Sequence, residues 1–230
     1  MGEYQLVVIG GGAAGIVAAI SAARAGESVV ICERMPQLGK KILATGNGRC
    51  NLLNDNLSEE FYNSVARPLV KSVFDKFGKA EILDFFKSLG LETYSQDGRI
   101  FPVTNQASSV LKVLEMELRR LSIPVEFNFT CSSISFSNGS FTVGGEKACP
   151  EQSRGEGKTI ECRKVIITGG GRTYPALGSD GSIYEIARQF GHSIVEPVPS
   201  AVPLVVNDPL CQVLQGQKIF ASARSVIEGK

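Results

Sequence analysis

The chain has 230 residues, with 24 Lys and Arg against 23 Asp and Glu and 43% hydrophobic residues. A net charge of +1 gives no electrostatic argument for nucleic acid or an anionic membrane surface as a partner, while the apolar content supports a sizeable core. The early apolar run is too short for a secretory signal, and no stretch approaches the roughly 20 uninterrupted apolar residues of a membrane-crossing helix. Six cysteines without a CxxC pair and a single histidine, His192, give metal binding little support. The expectation is a cytoplasmic protein with reduced thiols.

The first predicted element is a strand over Leu6-Val7-Val8-Ile9, whose β-branched residues suit burial on both faces. Gly10-Gly11-Gly12-Ala13-Ala14-Gly15 turns the chain into an alanine-rich helix ending at Gly26, and a second strand runs from Ser28 to Cys32 with Glu33 at its end. In this strand-turn-helix-strand unit Gly10 makes the tight turn. Gly12 leaves the backbone open to a pyrophosphate, and Gly15 lets the helix lie close to the strand. Free N–H groups of the helix's first turn favour phosphate. A carboxylate at Glu33 suits ribose hydroxyls and repels a 2′-phosphate, so the unit favours FAD or NAD over NADP.

Residues 38–54 concentrate glycine, asparagine and the cations Lys40, Lys41 and Arg49 with little periodicity, and read as a ligand-side loop. Helical patterns follow over residues 64–77 and 79–89, then a hairpin over 91–103 turning at Asp97-Gly98. Residues 105–121 form an amphipathic helix with Val110, Leu111, Val113, Leu114, Leu118 and Leu121 inward. Residues 124–130 return as a strand, and 134–143 form a small antiparallel meander turning at Asn138-Gly139. Residues 144–158 are polar and aperiodic and are expected to be a mobile surface loop. A strand over 159–168, with Val165-Ile166-Ile167 as its buried core, is broken by Gly169-Gly170-Gly171. A short helix over 182–190 starts after Asp180-Gly181. Pro197, Pro199 and Pro203 mark a crossover, beyond which residues 204–206 and 218–226 could be strands.

The fingerprint with Glu33, the segment GKKILATGNGRCNLLN, the run Gly98-Arg99-Ile100-Phe101-Pro102-Val103, and TGGGRTYPALGSDGSIYEIARQFGHSI followed by PSAVPL together carry a resemblance. The chain resembles the bacterial aminoacetone-oxidase-like flavoproteins, NAD(P)/FAD-dependent oxidoreductases among which some relatives are described as bile-acid reductases. The resemblance implies an α/β, Rossmann-like FAD-binding domain over residues 1–196 with a small antiparallel β meander. It also implies the beginning of a β-rich inserted domain over 197–230. It implies that Gly10, Gly12, Ala13, Ala14 and Gly15 hold the pyrophosphate and Glu33 the adenosine ribose. Arg34, Lys40 and Lys41 would pass the ribose and pyrophosphate, and Gly46, Arg49, Cys50 and Asn51 would lie along the flavin. The backbone at Cys131 would meet the adenine, and Gly169 and Gly170 would approach the cofactor again. The resemblance implies a C-terminal return segment covering the flavin, which is expected to lie outside these 230 residues, as for the N-terminal portion of a longer protein. Apolar surface is therefore expected to be exposed where that segment would dock, with residues from about 197 onward packing poorly.

Without a second nearby cysteine, Cys50 reads as packing or support beside the flavin rather than a redox thiol. His192 reads as a helix-end residue, and Tyr174 and Tyr184 as structural tyrosines that could reach a substrate. No acid-base pair stands out, which suits chemistry carried by a flavin. The expected function is FAD-dependent hydride or electron transfer to or from a small organic substrate, with NAD(P)H or oxygen as redox partner. The alternatives are a non-catalytic dinucleotide-binding module and an NAD-dependent dehydrogenase domain; the GNGRCN loop argues against the latter.

Overall fold

The glycine-turn unit folds as β1 (Tyr4–Ile9), α1 (Ala13–Arg24) and β2 (Val29–Glu33) in a computed structural model that describes residues 4–147 and 156–198, with Pro209 and Val213. β1 and β2 pair in parallel, Leu6 against Val29 through Ile9 against Cys32. The helix supplies the crossover that parallel strands require. The chain continues through α2 (Lys40–Ala44), β3 (Leu53–Asn54), α3 (Arg67–Phe74), α4 (Lys79–Ser88), β4 (Thr93–Gln96), β5 (Arg99–Pro102) and α5 (Ala107–Arg120). It then forms β6 (Val125–Phe127), β7 (Phe129–Ser137), β8 (Ser140–Lys147), β9 (Glu156–Ile167) and α6 (Ile183–Gln189).

Six strands make one sheet in the order β6-β2-β1-β9-β8-β7, parallel from β6 to β9 and antiparallel beyond. A second, antiparallel sheet has the order β3-β5-β4. The chain is a Rossmann-like α/β fold with the expected antiparallel meander. β1 lies between β2, to which the chain passes through α1, and β9, which the chain enters from β8 on the other side. That switch point opens a crevice at the carboxyl ends of the strands, the place where such sheets take ligands.

Alternation along β1 divides the core. Leu6 and Val8 face Ile16 and Ile20 of α1 and Val110 and Leu114 of α5, while Val7 and Ile9 pack with Phe129, Val143, Cys162 and Ile186. Ile16, Ile20, Val110 and Leu114 are no more than 1% exposed, and full burial of such a side chain contributes about 1.5–3 kcal/mol. α1 is also tied to α5 by charge. The buried Glu117 carboxylate accepts from Arg24 Nε at 2.8 Å and Arg120 Nε at 2.6 Å, and the Arg120 hydrogen bond leads in lowering its pKa to about 2, against burial.

Several expectations are corrected. Residues 38–54 are not a plain loop, since they include α2, a 3-10 turn over Thr45–Gly48 and β3. The strand expected over 124–130 is broken at Asn128, whose φ of 56° ends β6 before β7 begins. The polar stretch 144–158 is not a loop at its ends: β8 reaches Lys147 and β9 starts at Glu156, where backbone pairing overrides weak local propensity. Ile166 and Ile167 are not buried, at 38% and 36% exposure, because they lie at the open carboxyl end of β9.

The chain divides into compact units 1–194 and 195–230. Pro199, Pro203, Cys149, Cys211 and the strands expected at 204–206 and 218–226 lie outside the described residues. In the first unit α3 and its flanks expose Phe61, Val65, Leu69 and Phe77, each more than 60% accessible.

Candidate functional site

A cavity of about 480 Å³ occupies the crevice at the ends of β1, β2 and β9, within the size range of small-molecule and cofactor sites. Its floor is Gly10, Gly12, Ala13 and Ala14, between β1 and the first turn of α1. A Cβ on Gly12 would meet nothing within 4 Å, so this backbone is open to the cavity. The other two fingerprint glycines face protein. A Cβ on Gly15 would lie 1.9 Å from the Gly10 carbonyl oxygen, and one on Gly10 would lie 2.6 Å from that of Thr168. Gly15 therefore supports the turn from behind and does not line the cavity. α1 has no side-chain cap and no acid in its first turn, which leaves first-turn N–H groups free for an anion.

Glu33, 8% exposed, lines the same cavity. Gly11 N–H donates to its Oε2 at 2.5 Å and Met35 N–H to its Oε1 at 2.7 Å. Each carboxylate oxygen keeps acceptor capacity beyond its one backbone donor. Reading Glu33 only as a ligand acceptor missed this second task, which is to brace the glycine turn. The third glycine was the available signal: a Cβ on Gly11 would fall 2.3 Å from Leu38 Cδ2 and 3.1 Å from the Glu33 carboxylate.

Arg34, Lys40 and Lys41 also line the cavity. Arg34 Nη1 is 2.8 Å from Asp180 Oδ2, and Lys41 Nζ donates to the Thr173 carbonyl at 2.7 Å. Burial lowers the Lys41 pKa. Lys40 has no side-chain partner among the described residues. Asp180 went unmarked as a site residue, although its place in the GSDG segment was the signal.

Cys50 and Asn51 line the cavity, whereas Gly46 and Arg49 of the same turn do not. Gly46 lies behind Asn51, where a Cβ would come within 2.8 Å of its backbone N. The Arg49 guanidinium sits 4.2 Å over the Phe101 ring and donates to Gln96 at 3.3 Å, anchoring the turn to the β3-β5-β4 sheet. Cys50 has a φ of 60°, and burial raises its pKa. Cys131 is reached through Phe129 and Thr130 of β7, and burial raises its thiol to about 11. Burial, then Cys131, raises that of Cys32 to about 12. These thiols are protonated at neutral pH, so none is a poised nucleophile.

Gly169 and Gly170 close the far side. The Thr168 hydroxyl just before them lies 2.8 and 2.9 Å from the Ile9 and Gly10 carbonyls, pinning the end of β9 to the glycine turn. Among the described residues no group of three His, Cys, Asp or Glu could hold a metal ion, and no helix is long and apolar enough to cross a membrane.

Residues 4–217 match the family described as HI0933-like protein Rossmann domain. The chain belongs to that family. FAD is the cofactor of this Rossmann domain. The chain is 43% identical over 205 residues to 3-dehydro-bile acid delta(4,6)-reductase of Clostridium scindens, covering 88% of this chain and 48% of that protein. It is 27% identical over 216 residues to ribosomal RNA dihydrouridine synthase of Escherichia coli, covering 94% and 51%. It thus spans about half the length of the curated relatives it matches. Neither bears an aminoacetone-oxidase name, so the recognition holds at the level of the HI0933-like family. Among solved structures, the open conformation of a flavocytochrome c3 fumarate reductase superposes with a TM-score of 0.58 at 15% identity, over 83% of this chain and 41% of that one. A 3-ketosteroid dehydrogenase from Rhodococcus jostii gives 0.55 at 15%, over 74% and 46%. At these identities the likeness is one of fold.

The residues present fit FAD. Gly12 leaves room at the turn, the first turn of α1 offers uncapped N–H groups, and a buried carboxylate stands at the end of β2 with acceptor capacity in hand.

Proposed function

We propose that this chain is the FAD-binding part of a reductase that adds hydrogen across a carbon–carbon double bond conjugated to a carbonyl in a small organic substrate. NAD(P)H would be the redox partner that reduces the flavin; oxygen, an electron acceptor, could only reoxidise it. The observation that carries the reading is the Gly12 and Glu33 cavity at the switch point of β1, in a chain 43% identical to a bile-acid reductase. The name of that relative describes reduction of a conjugated ketone, and that of the dihydrouridine synthase describes reduction of a uracil ring. The shared chemistry is net transfer of a hydride and a proton to an electron-poor double bond.

In this reading Gly12 and the first-turn N–H groups of α1 hold the pyrophosphate, Lys40 neutralises it, and Glu33 accepts from the adenosine ribose. The backbone of residues 129–131 flanks the adenine, and Cys50 and Asn51 stand beside the ring system that reacts. Bound FAD supplies the hydride chemistry, while the protein supplies position and exclusion of water. A cytoplasmic location belongs to the same proposal. An RNA substrate is the second reading, favoured by the 27% identity to the dihydrouridine synthase and opposed by a net charge of only +1.

The test is to purify the 230-residue chain and record its visible spectrum. A flavin spectrum is expected, with anaerobic reoxidation of the reduced protein by a 3-oxo-4,6-diene steroid acid. A colourless chain that takes up no FAD would end the proposal. A flavin that this steroid cannot reoxidise, but a uridine-containing RNA can, would move it to the second reading.

A further inference from the structure

The segment from Gly170 to Ser182 is a wall of the cavity built on itself. The Ser179 hydroxyl donates to the Gly171 carbonyl at 2.8 Å, and Asp180 Oδ1 accepts from the Ser182 N–H at 3.1 Å and from its hydroxyl at 2.7 Å. This fold turns two acceptors toward the opposite wall, the Thr173 carbonyl and Asp180 Oδ2. Each meets a cation, Lys41 Nζ at 2.7 Å and Arg34 Nη1 at 2.8 Å. Between them Met35 fits against Gly178, where a Cβ would fall 2.8 Å from Met35 Cγ. Three contacts therefore join residues 34–41 to residues 173–180 along the cavity.

We infer that Arg34 and Lys41 are clamp residues that fasten this wall over the bound dinucleotide, with Asp180 as the partner of Arg34, and that Lys40 is the cation offered to the pyrophosphate. The assignment rests on the FAD-binding reading and changes who does what within it. Arg34 already faces a carboxylate, so its charge is locally neutralised and a phosphate placed beside it would compete with Asp180. Lys40 lines the same cavity and, among the described residues, answers to no acceptor. The clamp residues act on the cofactor by positioning the wall.

The two roles give opposite signs for one substitution. FAD is an anion, so if Arg34 were a phosphate ligand, Asp180→Asn would free its guanidinium and hold FAD as long as the parent or longer. If Arg34 and Asp180 are a clamp, the same change loosens the wall. The experiment follows recovery of flavin fluorescence after dilution of the FAD-loaded chain, with folding checked by circular dichroism. Asp180→Asn and Arg34→Gln are each expected to release FAD about two- to fivefold faster, the scale of one partly exposed ion pair. The double variant should be no faster than either single one, and the charge-swapped pair Arg34→Asp with Asp180→Arg should return toward the parent. Lys40→Gln should instead weaken equilibrium binding and flatten its dependence on salt.

If Asp180→Asn does not fold, Gly178→Ala asks the same question without touching a charge, and the clamp requires faster release there too. Parent-like or slower release from whichever variant folds would overturn the clamp while leaving FAD binding intact. Failure of the parent chain to bind FAD would remove both readings.

Discussion

Two walls face the same cavity and are held by different forces. The wall of Gly10 to Gly12 with Glu33 is fastened by backbone: Gly11 N–H to Glu33, Gly10 N–H to the Cys32 carbonyl at 2.8 Å, and Gly15 against the Gly10 carbonyl. The wall of residues 170–182 is fastened by side chains reaching across the cavity, Arg34 to Asp180 and Lys41 to Thr173. The first is held by close backbone contacts. The second has about a third of each ion-pair side chain in solvent, at 34% and 37% exposure, where such pairs contribute about 0–1 kcal/mol. In the proposed reading the first wall is a template for the ligand and the second a clamp that can open while the sheet stays folded.

The strongest way to break this contrast is Gly15→Val. Its Cβ would meet the Gly10 carbonyl oxygen at 1.9 Å and Thr168 Oγ1 at 2.7 Å, both fixed. Overpacking costs about 1–3 kcal/mol and occasionally more, and this site belongs at the top of that range, with loss of stability and cofactor together. Denaturant unfolding checks it, and a variant as stable as the parent would show that the turn has slack after all.

Gly12→Val separates ligand from fold. The side chain enters open space, so the unfolding midpoint should stay near that of the parent while FAD affinity falls by about 1–3 kcal/mol, the cost of forcing methyl groups into a space the cofactor fills. Titration by flavin fluorescence measures it. Full retention of FAD would place the pyrophosphate elsewhere.

Glu33→Ala tests the dual task of that carboxylate. It leaves the Gly11 and Met35 N–H groups without their acceptor, at about 1–3 kcal/mol for a buried donor left unpaired. Both FAD binding and thermal stability are expected to drop. A loss confined to binding would mean the brace is dispensable; a loss confined to stability would take Glu33 out of the ribose site.

The smallest effect belongs to the clamp and is read through pH. Arg34, and then Ser182, hold the Asp180 carboxyl well below its ordinary 3.8. A depressed carboxylate pKa adds stability that is fully present above the unfolded value and is lost as the pH falls through the folded one. The stability gap between the parent and Asp180→Asn should therefore be constant from neutral pH down to about 4 and shrink below it, with a size of about 1 kcal/mol or less for so exposed a pair. A gap that widens on acidification would contradict the pairing with Arg34.

The contrast between the walls also separates what was legible in the sequence from what was not. Strand β1, the three glycines, α1 and the acid closing β2 are neighbours along the chain. Their spacing, residue size and periodicity determined the unit and its parallel pairing. The hairpin at Asp97-Gly98 and the inner face of α5 were legible for the same reason, because turn chemistry and the helical repeat act over a few residues. The break at Asn128 and the extension of β8 and β9 into a polar stretch were decided by partners on other strands. Which of the cavity's cations is paired with Asp180 or Thr173 was likewise beyond local reading. Lys40 and Lys41 are adjacent and chemically alike, and they part company only because Thr173, 132 residues further on, is brought to one and not the other. Arg49, for which the resemblance implies a place along the flavin, stacks on Phe101. Local pattern fixes what an element is; a long side chain finds its partner only when the sheet has brought distant residues together.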